Sequence, residues 1–436
     1  SFPTRRSSDL WLVGMNASRA HTLAWHRSLS LGRVRTPTLN MVVQRDLAIE
    51  SHKPTPFWRL IVPMDGWTLE SGKIEDQVMA RRILADAMGL PVEILEVRRR
   101  REHAKPPTLF DLTGLQKAMS DRHGLTAEQT LDCLQHLYEM KVATYPRTDS
   151  KYITHDDADG LKELLQPKYA LGFLDQKPVE AIHDLYSAGG FDPMRCVADD
   201  KVQGHTAILP TRRLTYDVFQ HDLTDMEREV IAVILTRMWS ACATDRVHDT
   251  VKVEAVLDER HADGSMERVP LSASSDVTVE AGWTAIEGTS RTDDAEKKPV
   301  NRIPDSLGKG PLPQSGAPSL TEGVSAPPKP FTEATLLSAM EHASRFVADS
   351  DLKAALDDDT SHSGGIGTPA TRAGILESLV KSGYLQRKGK QLRSTPAGRM
   401  LVGVAIDELK DVKLTAQWEQ SLADIEQGKG DEDRKS

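Results

Sequence analysis

The chain has 436 residues, of which 39% are apolar and 27% are charged, and this size and composition predict a globular protein of roughly two to four domains. No run of about 18 or more apolar residues occurs, which excludes a membrane-spanning helix. The first residues, SFPTRRSSDLWLVG, lack the apolar core of a signal peptide. The three cysteines are widely spaced and form no CxxC pair, which excludes a zinc ribbon and a disulfide framework and predicts a reducing, cytoplasmic location.

The charges are unevenly distributed along the chain. The net charge of −9 argues weakly against a nucleic-acid partner. Residues 1–110, however, contain 17 Lys and Arg against 11 Asp and Glu, a net of +6, whereas the remaining 38 basic and 53 acidic residues give −15. A basic part of this kind can hold a polyanion even when the whole chain is acidic.

The first quarter of the chain changes from a helical to a strand pattern. Residues 11–50 read as helical, with a turn at SLGRVRTPT. FWRLIVPM and VEILEVRRR then read as strands, and a short helix from Asp76 to Met88 lies between them. The four arginines that begin at Arg98 fit a solvated strand end better than a specific site, and Lys105-Pro106-Pro107 marks a boundary.

The middle of the chain is first helical and then a strand region. Residues 108–142 read as mostly helical, with Thr126 as N-cap and Gln129 completing a capping box. Residues 143–153 are predicted to be non-helical, and Thr154 begins another short helix.

The last part of the chain returns to helices. DTVKVEAVL reads as a strand, and residues 225–242 as a helix. Residues 304–330 hold 7 Pro and 4 Gly in 27 positions, so an irregular connector is predicted there. Helices resume at Thr332, and we expect a chain that leaves one domain, builds others and returns.

The segment ATYPRTDSKYI (143–153) carries the most chemistry. Pro146 disfavours the helical region for Tyr145, so the preceding helix must end before this tyrosine. Arg147 lies two residues on and faces the same way in an extended chain. A phenol oxygen beside a permanent cation is a sensible nucleophile for a phosphodiester, although a free phenol, with a pKa of roughly 10, needs activation. Taken alone, this spacing fits a surface turn with Tyr145 packed on a helix better than an active site.

Seven segments together resemble the type IA DNA topoisomerases, nearest the bacterial topoisomerase III branch. The Y-x-R-T-D-S motif of the family matches the segment at Tyr145. The other matches follow in the family's order: MNASRAHTL (15–23) with SLGRVRTPTLNMVVQRD (30–46), PPTLFDLTGLQ (106–116), DDKVQGHTAILPT (199–211), FTEATLLSAME (331–341), GIGTPATRAGILESLVKSGYL (365–385) and LTAQWEQSLADIEQGK (414–429). With these seven matches, a purely structural role for Tyr145 becomes remote.

The resemblance implies an active site built on three residues. Tyr145 matches the nucleophile that forms a 5′-phosphotyrosine with single-stranded DNA, and Arg147 matches the arginine that orients it and the scissile phosphate. His205 matches the histidine of the H-x-A-I motif, which contacts that phosphate. Family members often read Asp-His-His before Ala-Ile, and this chain reads Gly204-His205-Thr206, so only the first histidine is kept. Without the motif, a lone histidine is more often structural.

The resemblance also implies DNA contacts around this centre. They are Arg33 on the DNA backbone, Gln135 and Glu139 in the groove, Thr148 and Asp149 shaping the pocket, and Thr371 at a helix start. A solvated helix face remains open for Gln135 and Glu139, and a packing unit without DNA contact remains open for the helix and hairpin around Thr371.

The implied architecture is mixed α and β and multi-domain, the toroidal core of the family without its N-terminal Toprim domain. Its predicted parts are a non-family leader (1–10), a helical core with a winged-helix-like unit (11–56 and 332–436), a β-rich arch or hinge (57–105 and 213–331) and a nucleophile domain (106–212). Partners are expected to be single-stranded and negatively supercoiled DNA, with no membrane, and the protein is expected to be a monomer associated with nucleoid or plasmid.

The Toprim domain supplies the family's Mg²⁺ ligands, and no room for it is seen before Trp11. The Asp157/Asp159 and Asp357/Asp359 pairs follow no buried strand, so we assign no metal ligand in this chain and expect the Mg²⁺ ligands elsewhere. We therefore expect weak single-strand binding and little relaxation by the chain alone. ATP is not expected, because no P-loop occurs and the phosphotyrosine stores the bond energy.

Rival functions remain to be separated. The first is a non-catalytic single-stranded DNA-binding fragment, which Tyr145→Phe would separate from the enzyme, since covalent adducts should vanish while binding remains. A relaxase needs a His-x-His set, which is absent, and a tyrosine recombinase carries its tyrosine late in the chain. A plain structural protein is made remote by seven ordered matches.

Overall fold

The computed structural model describes residues 29–202, 204–260, 266–288, 301–346 and 365–412, together with short pieces between residues 15 and 26. The predicted leader 1–10, the segment at 414–429 and the Asp357/Asp359 pair lie outside the described residues. Helices and strands both occur, so the predicted mixed α and β class is confirmed.

The helices are numbered here in chain order. They are α1 (Arg35–Ser51), α2 (Gln77–Ala87), α3 (Leu112–His123), α4 (Ala127–Glu139), α5 (His155–Leu164), α6 (Gln176–Ser187), α7 (Asp225–Cys242), α8 (Thr284–Glu287), α9 (Glu333–Glu341), α10 (Pro369–Lys381), α11 (Pro396–Val404) and α12 (Asp407–Lys410).

One large antiparallel sheet occupies the middle of the described chain. Its strands are β1 (Pro56–Met64), β2 (Trp67–Ser71), β3 (Val92–Ala104), β4 (Arg246–Arg260), β5 (Met266–Glu280), β6 (Gly310–Leu312) and β7 (Ser319–Val324). The spatial order is β6-β3-β4-β5-β2-β1-β7, and β4 pairs with β5 from Val247–Glu280 to Arg260–Met266. Residues of β1 alternate between buried and half-buried because one face covers a hydrophobic cluster.

The predicted connector at 304–330 is wrong in part. Two short strands, β6 and β7, lie within it and form the two edges of the sheet, β6 on β3 and β7 on β1. Edge strands tolerate proline because one side needs no ladder hydrogen bond, so the proline content did not prevent pairing.

The predicted turn SLGRVRTPT is also shorter than expected. Helix α1 begins at Arg35, so RTPT forms its first turn. Pro37 fits there because the first N–H groups of a helix have no partner within it.

Three hydrophobic clusters form the interior. One lies under the large sheet and includes Leu60 and Leu271. A second joins α1 to residues 331–412 through side chains such as Leu39 and Leu376. Two distant segments of the chain therefore share one hydrophobic cluster. The third runs from Leu109 to Ala243 and includes Ile286. The division into domains stays a prediction, and packing does not change at the boundary placed after residue 212.

A small hairpin completes the helical part. Strands β8 (Leu385–Lys388) and β9 (Gln391–Ser394) follow α10 and turn at Gly389, whose φ is +59°. This helix-and-hairpin unit is the one predicted, with Thr368 before the helix and Gly383 after it. No helix among the described residues is both long and apolar enough to cross a bilayer.

Candidate active site

Helix α4 leads into the motif and ends at Glu139, six residues before Tyr145. Thr126 and Gln129 form the predicted capping box, with N–H to oxygen distances of 3.1 and 2.9 Å. At the other end the N–H of Lys141 donates to the Tyr138 carbonyl at 2.8 Å, and that of Val142 donates to the Leu137 carbonyl at 2.9 Å. This is a Schellman end, with Lys141 left-handed at φ 64°. The chain then leaves the helix toward Tyr145.

A short antiparallel pairing brings His205 to Tyr145. The N–H of Thr144 donates to the Leu209 carbonyl at 2.9 Å, and the N–H of Leu209 donates to Thr144 Oγ1 at 2.9 Å. The N–H of Thr211 donates to the Val142 carbonyl at 2.9 Å. The H-x-A-I-x-P-T segment is therefore fixed along the nucleophile segment by two backbone hydrogen bonds and one to the Thr144 side chain.

The ring of Tyr145 packs between two other rings. The His205 ring lies with its centroid 4.1 Å away and an interplanar angle of 31°. The Tyr138 ring meets it edge-on, at 5.5 Å and 85°. Tyr145 is half-buried and His205 is exposed. These rings line a cavity of about 430 Å³ together with Lys141, Thr144 and Thr211.

The rest of the motif alternates between exposed and buried residues. Arg147 and Asp149 are exposed, whereas Thr148 is 2% exposed. Thr148 Oγ1 donates to the His205 carbonyl at 3.3 Å, and the Thr148 carbonyl accepts from the Leu112 N–H at 3.1 Å. The buried Thr148 thus ties the backbone at His205 to the motif, whereas Arg147 is exposed to solvent.

Gln135 and Glu139 lie on one face of α4, as their spacing predicts. Gln135 Nε2 donates to Glu139 Oε1 at 2.9 Å. Both belong to the helix that carries Tyr138. Their contact with DNA remains a prediction.

Arg33 and Thr371 lie in the other part of the molecule, at the helical core. The turn that contains Arg33 packs on the segment before α10. The side chain of the neighbouring Val34 lies so close to Gly367 that a Cβ added to this glycine would be 3.2 Å from Val34 Cγ1. Arg33 is 6% exposed, so it is buried rather than presented on the surface. Thr371 is exposed, but its N–H already donates to the Thr368 carbonyl at 2.9 Å. A phosphate contact at this helix start remains a prediction.

Ionic contacts join the nucleophile segment to the helical core. Lys117 Nζ lies 2.7 Å from Glu341 Oε2, and Lys151 Nζ lies 3.5 Å from Glu341 Oε1 and 3.6 Å from Asp111 Oδ2. Burial would raise the pKa of Glu341, but the hydrogen bond and charge of Lys117 hold it below its ordinary value. Burial raises the pKa of Asp111 in spite of Lys151.

The neighbour of Thr371 takes part in the same junction. Arg372 is completely buried, and its Nη1 donates to Thr113 Oγ1 at 3.2 Å. Burial lowers the pKa of Arg372, and the charges of Glu341 and Asp111 oppose that shift.

Sequence reasoning missed two residues that line the cavity, Tyr138 and Lys141. Tyr138 shares a helix face with Leu131 and Leu134, which hid it among core positions, yet it is 39% exposed. Its place seven residues before Tyr145, in the last helical turn, is the signal that could have found it. Lys141 carries no sequence signal beyond its position after that turn.

A metal site is not formed by the described residues. Among them, no group of three or more His, Cys, Asp or Glu side chains could hold a metal ion. Asp157 instead accepts from Thr154 in the capping box of α5. The Mg²⁺ requirement and the position of its ligands remain predictions.

Comparisons with known proteins agree with this geometry. The family model for DNA topoisomerase matches residues 1–435, so the chain belongs to the DNA topoisomerase family. It is 32% identical to DNA topoisomerase 3 of Bacillus subtilis (strain 168) and 33% identical to that of Shouchella clausii (strain KSM-K16), over 97% of this chain. The match covers 57% and 56% of those relatives, so the chain spans little more than half of their length.

The fold agrees with a solved structure as well. The structure of full-length topoisomerase I from Thermotoga maritima superposes with a TM-score of 0.63 at 20% identity, covering 92% of this chain and 60% of that one. The resemblance drawn from the seven motifs is therefore confirmed at the level of family and fold.

Proposed function

We propose that this chain is the strand-cleaving core of a type IA topoisomerase of the topoisomerase III kind. Its substrates would be single-stranded and negatively supercoiled DNA, and it would act without ATP as a cytoplasmic monomer at nucleoid or plasmid DNA. The observation that carries the proposal is the ring of Tyr145, which packs against the rings of Tyr138 and His205 in a cavity, with the exposed Arg147 two residues further along the chain.

The proposed chemistry is a transesterification. The Tyr145 oxygen attacks a backbone phosphorus and loses its proton, and the bond from that phosphorus to the 3′ oxygen breaks, with the leaving oxygen taking up a proton. The products are a 5′-phosphotyrosine and a free 3′ hydroxyl, and the reverse attack reseals the strand. The charges of Arg147 and, when protonated, His205 would stabilise the phosphate as negative charge builds up. Mg²⁺ stays a prediction.

The test is the polarity of the covalent adduct. The full chain is incubated with an oligonucleotide labelled at its 3′ end or at its 5′ end, with and without Mg²⁺, and then denatured. We expect the 3′ label to stay with the protein and the 5′ label to leave on a shorter fragment. Tyr145→Phe should abolish the adduct, and Tyr152→Phe, in the same motif, is the matched control that should keep it. Binding without any adduct would favour the non-catalytic fragment instead.

A further inference from the structure

Lys141 has a backbone conformation that other helix ends of this chain give to glycine. Its φ of 64° is one of two positive values at non-glycine residues in the described part of the chain. At the ends of α3, α6 and α10 the left-handed residue is Gly124, Gly189 and Gly383. Left-handed backbone is unfavourable for a residue with a Cβ. A strained lysine therefore occupies a position that glycine would fit better.

Lys141 is one of the residues that line the cavity containing Tyr145. Lys141 is exposed, and Gly204 and His205 line the same cavity. Its carbonyl accepts from Thr211 Oγ1 at 2.5 Å, which ties this turn to the paired segment. In the described residues Lys141 forms no ion pair, whereas Lys117 and Lys151 both do. Lys141 thus places a positive charge at the cavity with no ion-pair partner among the residues that the structure describes.

We propose that Lys141 binds a backbone phosphate of the single strand that Tyr145 attacks, an inference that rests on the proposed function. An ammonium offers three donors and suits a phosphate oxygen. Turn geometry alone does not require a lysine, because glycine satisfies it at three other helix ends. Backbone strain at a site of this kind points to a function of the side chain.

The experiment separates charge from backbone geometry by substituting Lys141→Gly, Lys141→Gln and Lys141→Arg in the full chain. Binding of a fluorescein-labelled oligothymidylate is measured by anisotropy over a series of salt concentrations. We expect the glycine and glutamine variants to bind about three- to tenfold more weakly, with a slope of log affinity against log salt shallower by about 0.7. The arginine variant should bind like the unsubstituted chain. The glycine variant should melt no lower than the unsubstituted chain, because glycine accepts positive φ.

The matched control is Lys177→Gln, an exposed lysine on α6 away from the cavity, which should leave affinity and slope unchanged. Unchanged binding by Lys141→Gly, in a chain that does bind the oligonucleotide, would overturn the role of Lys141 and leave the proposed function standing. Weaker binding with an unchanged salt slope would also overturn the phosphate contact. If the unsubstituted chain does not bind, both proposals fail.

Discussion

The phenol ring of Tyr145 is held on two sides by rings from different parts of the chain. Tyr138 comes from the last turn of α4, and His205 comes from the segment paired with the motif. Such aromatic contacts are worth about 0.5–1.5 kcal/mol each, enough to favour one position of a ring that must meet a phosphate. The orientation of the Tyr145 ring therefore depends on its contacts with the rings of Tyr138 and His205.

Replacing Tyr138 tests this packing. We expect Tyr138→Leu to lower the yield of covalent adduct about two- to tenfold, because the edge contact with Tyr145 is lost. Tyr138→Phe keeps the ring edge and should retain most of the yield. The measurement is adduct formed with a 3′-labelled oligonucleotide at equal protein and DNA concentrations. Equal loss in the two variants would mean that the hydroxyl of Tyr138, not its ring, matters.

The carboxylate of Glu341 should make the free energy of unfolding of this protein depend on pH. Its pKa is held below the ordinary value of 4.5, with Lys117 and Lys151 outweighing burial. A carboxyl group whose pKa falls on folding stabilises the fold above its unfolded-state pKa and loses that contribution as pH falls through the folded-state pKa. We expect Glu341→Gln to lower the free energy of unfolding by about 2 kcal/mol near neutral pH.

Urea titrations from acidic to neutral pH measure this effect. The difference between Glu341→Gln and the unsubstituted chain should be full above pH 4.5 and should shrink below it. A difference that stays constant down to strongly acidic pH would show that the charge of Glu341 is not its cause.

Among the elements, α4 controls where the nucleophile segment begins. Its start is fixed by the capping box at Thr126 and by Glu333 of α9, whose Oε2 accepts from the Ala127 N–H at 2.7 Å. Its end presents Tyr138 and Lys141 to the cavity. The start of this helix is therefore set by side chains, and its end by backbone hydrogen bonds.

The N-cap of α4 leads to a second prediction about the free energy of unfolding. Thr126→Ala should lower the free energy of unfolding by about 1 kcal/mol, because the Gln129 N–H loses its acceptor. Thr126→Ser keeps an oxygen in place and should cost much less. Urea titrations of the two variants check the difference, and equal stability would contradict the cap.

Sequence patterns predicted elements with local signals and missed those that depend on distant partners. The helix over 225–242 was predicted and is α7, and Asp76 caps α2 through the Met79 N–H. Strands β6 and β7 were missed because three to six residues among prolines carry no clear period. Their pairing with β3 and β1 supplies what the local sequence lacks.

The candidate site was predictable only in part for the same reason. Tyr145 and Arg147 are two residues apart, but His205 reaches Tyr145 through a pairing of its segment with residues 142–144 that no local pattern predicts. The ordered motifs supplied His205, whereas Tyr138 and Lys141 emerged only from the packing. Arg33, expected to face DNA, is buried.

For the whole molecule, the charge distribution predicts how DNA binding responds to salt. The chain is acidic overall, at −9, so a polyanion must bind where cations are locally concentrated. With three to four phosphates contacted, affinity for a single strand should fall with a slope of roughly −2 to −3 in log affinity against log salt. Fluorescence anisotropy measures the slope, and affinity independent of salt would exclude phosphate contacts as its source.

The most direct test of the central claim is identification of the residue that carries DNA. The covalent adduct is digested with protease and nuclease, and the modified peptide is sequenced by mass spectrometry. We expect a nucleotide joined through its 5′ phosphate to the oxygen of Tyr145. A nucleotide on Tyr138, on Tyr152 or on any residue other than Tyr145, or one joined through a 3′ phosphate, would contradict the claim.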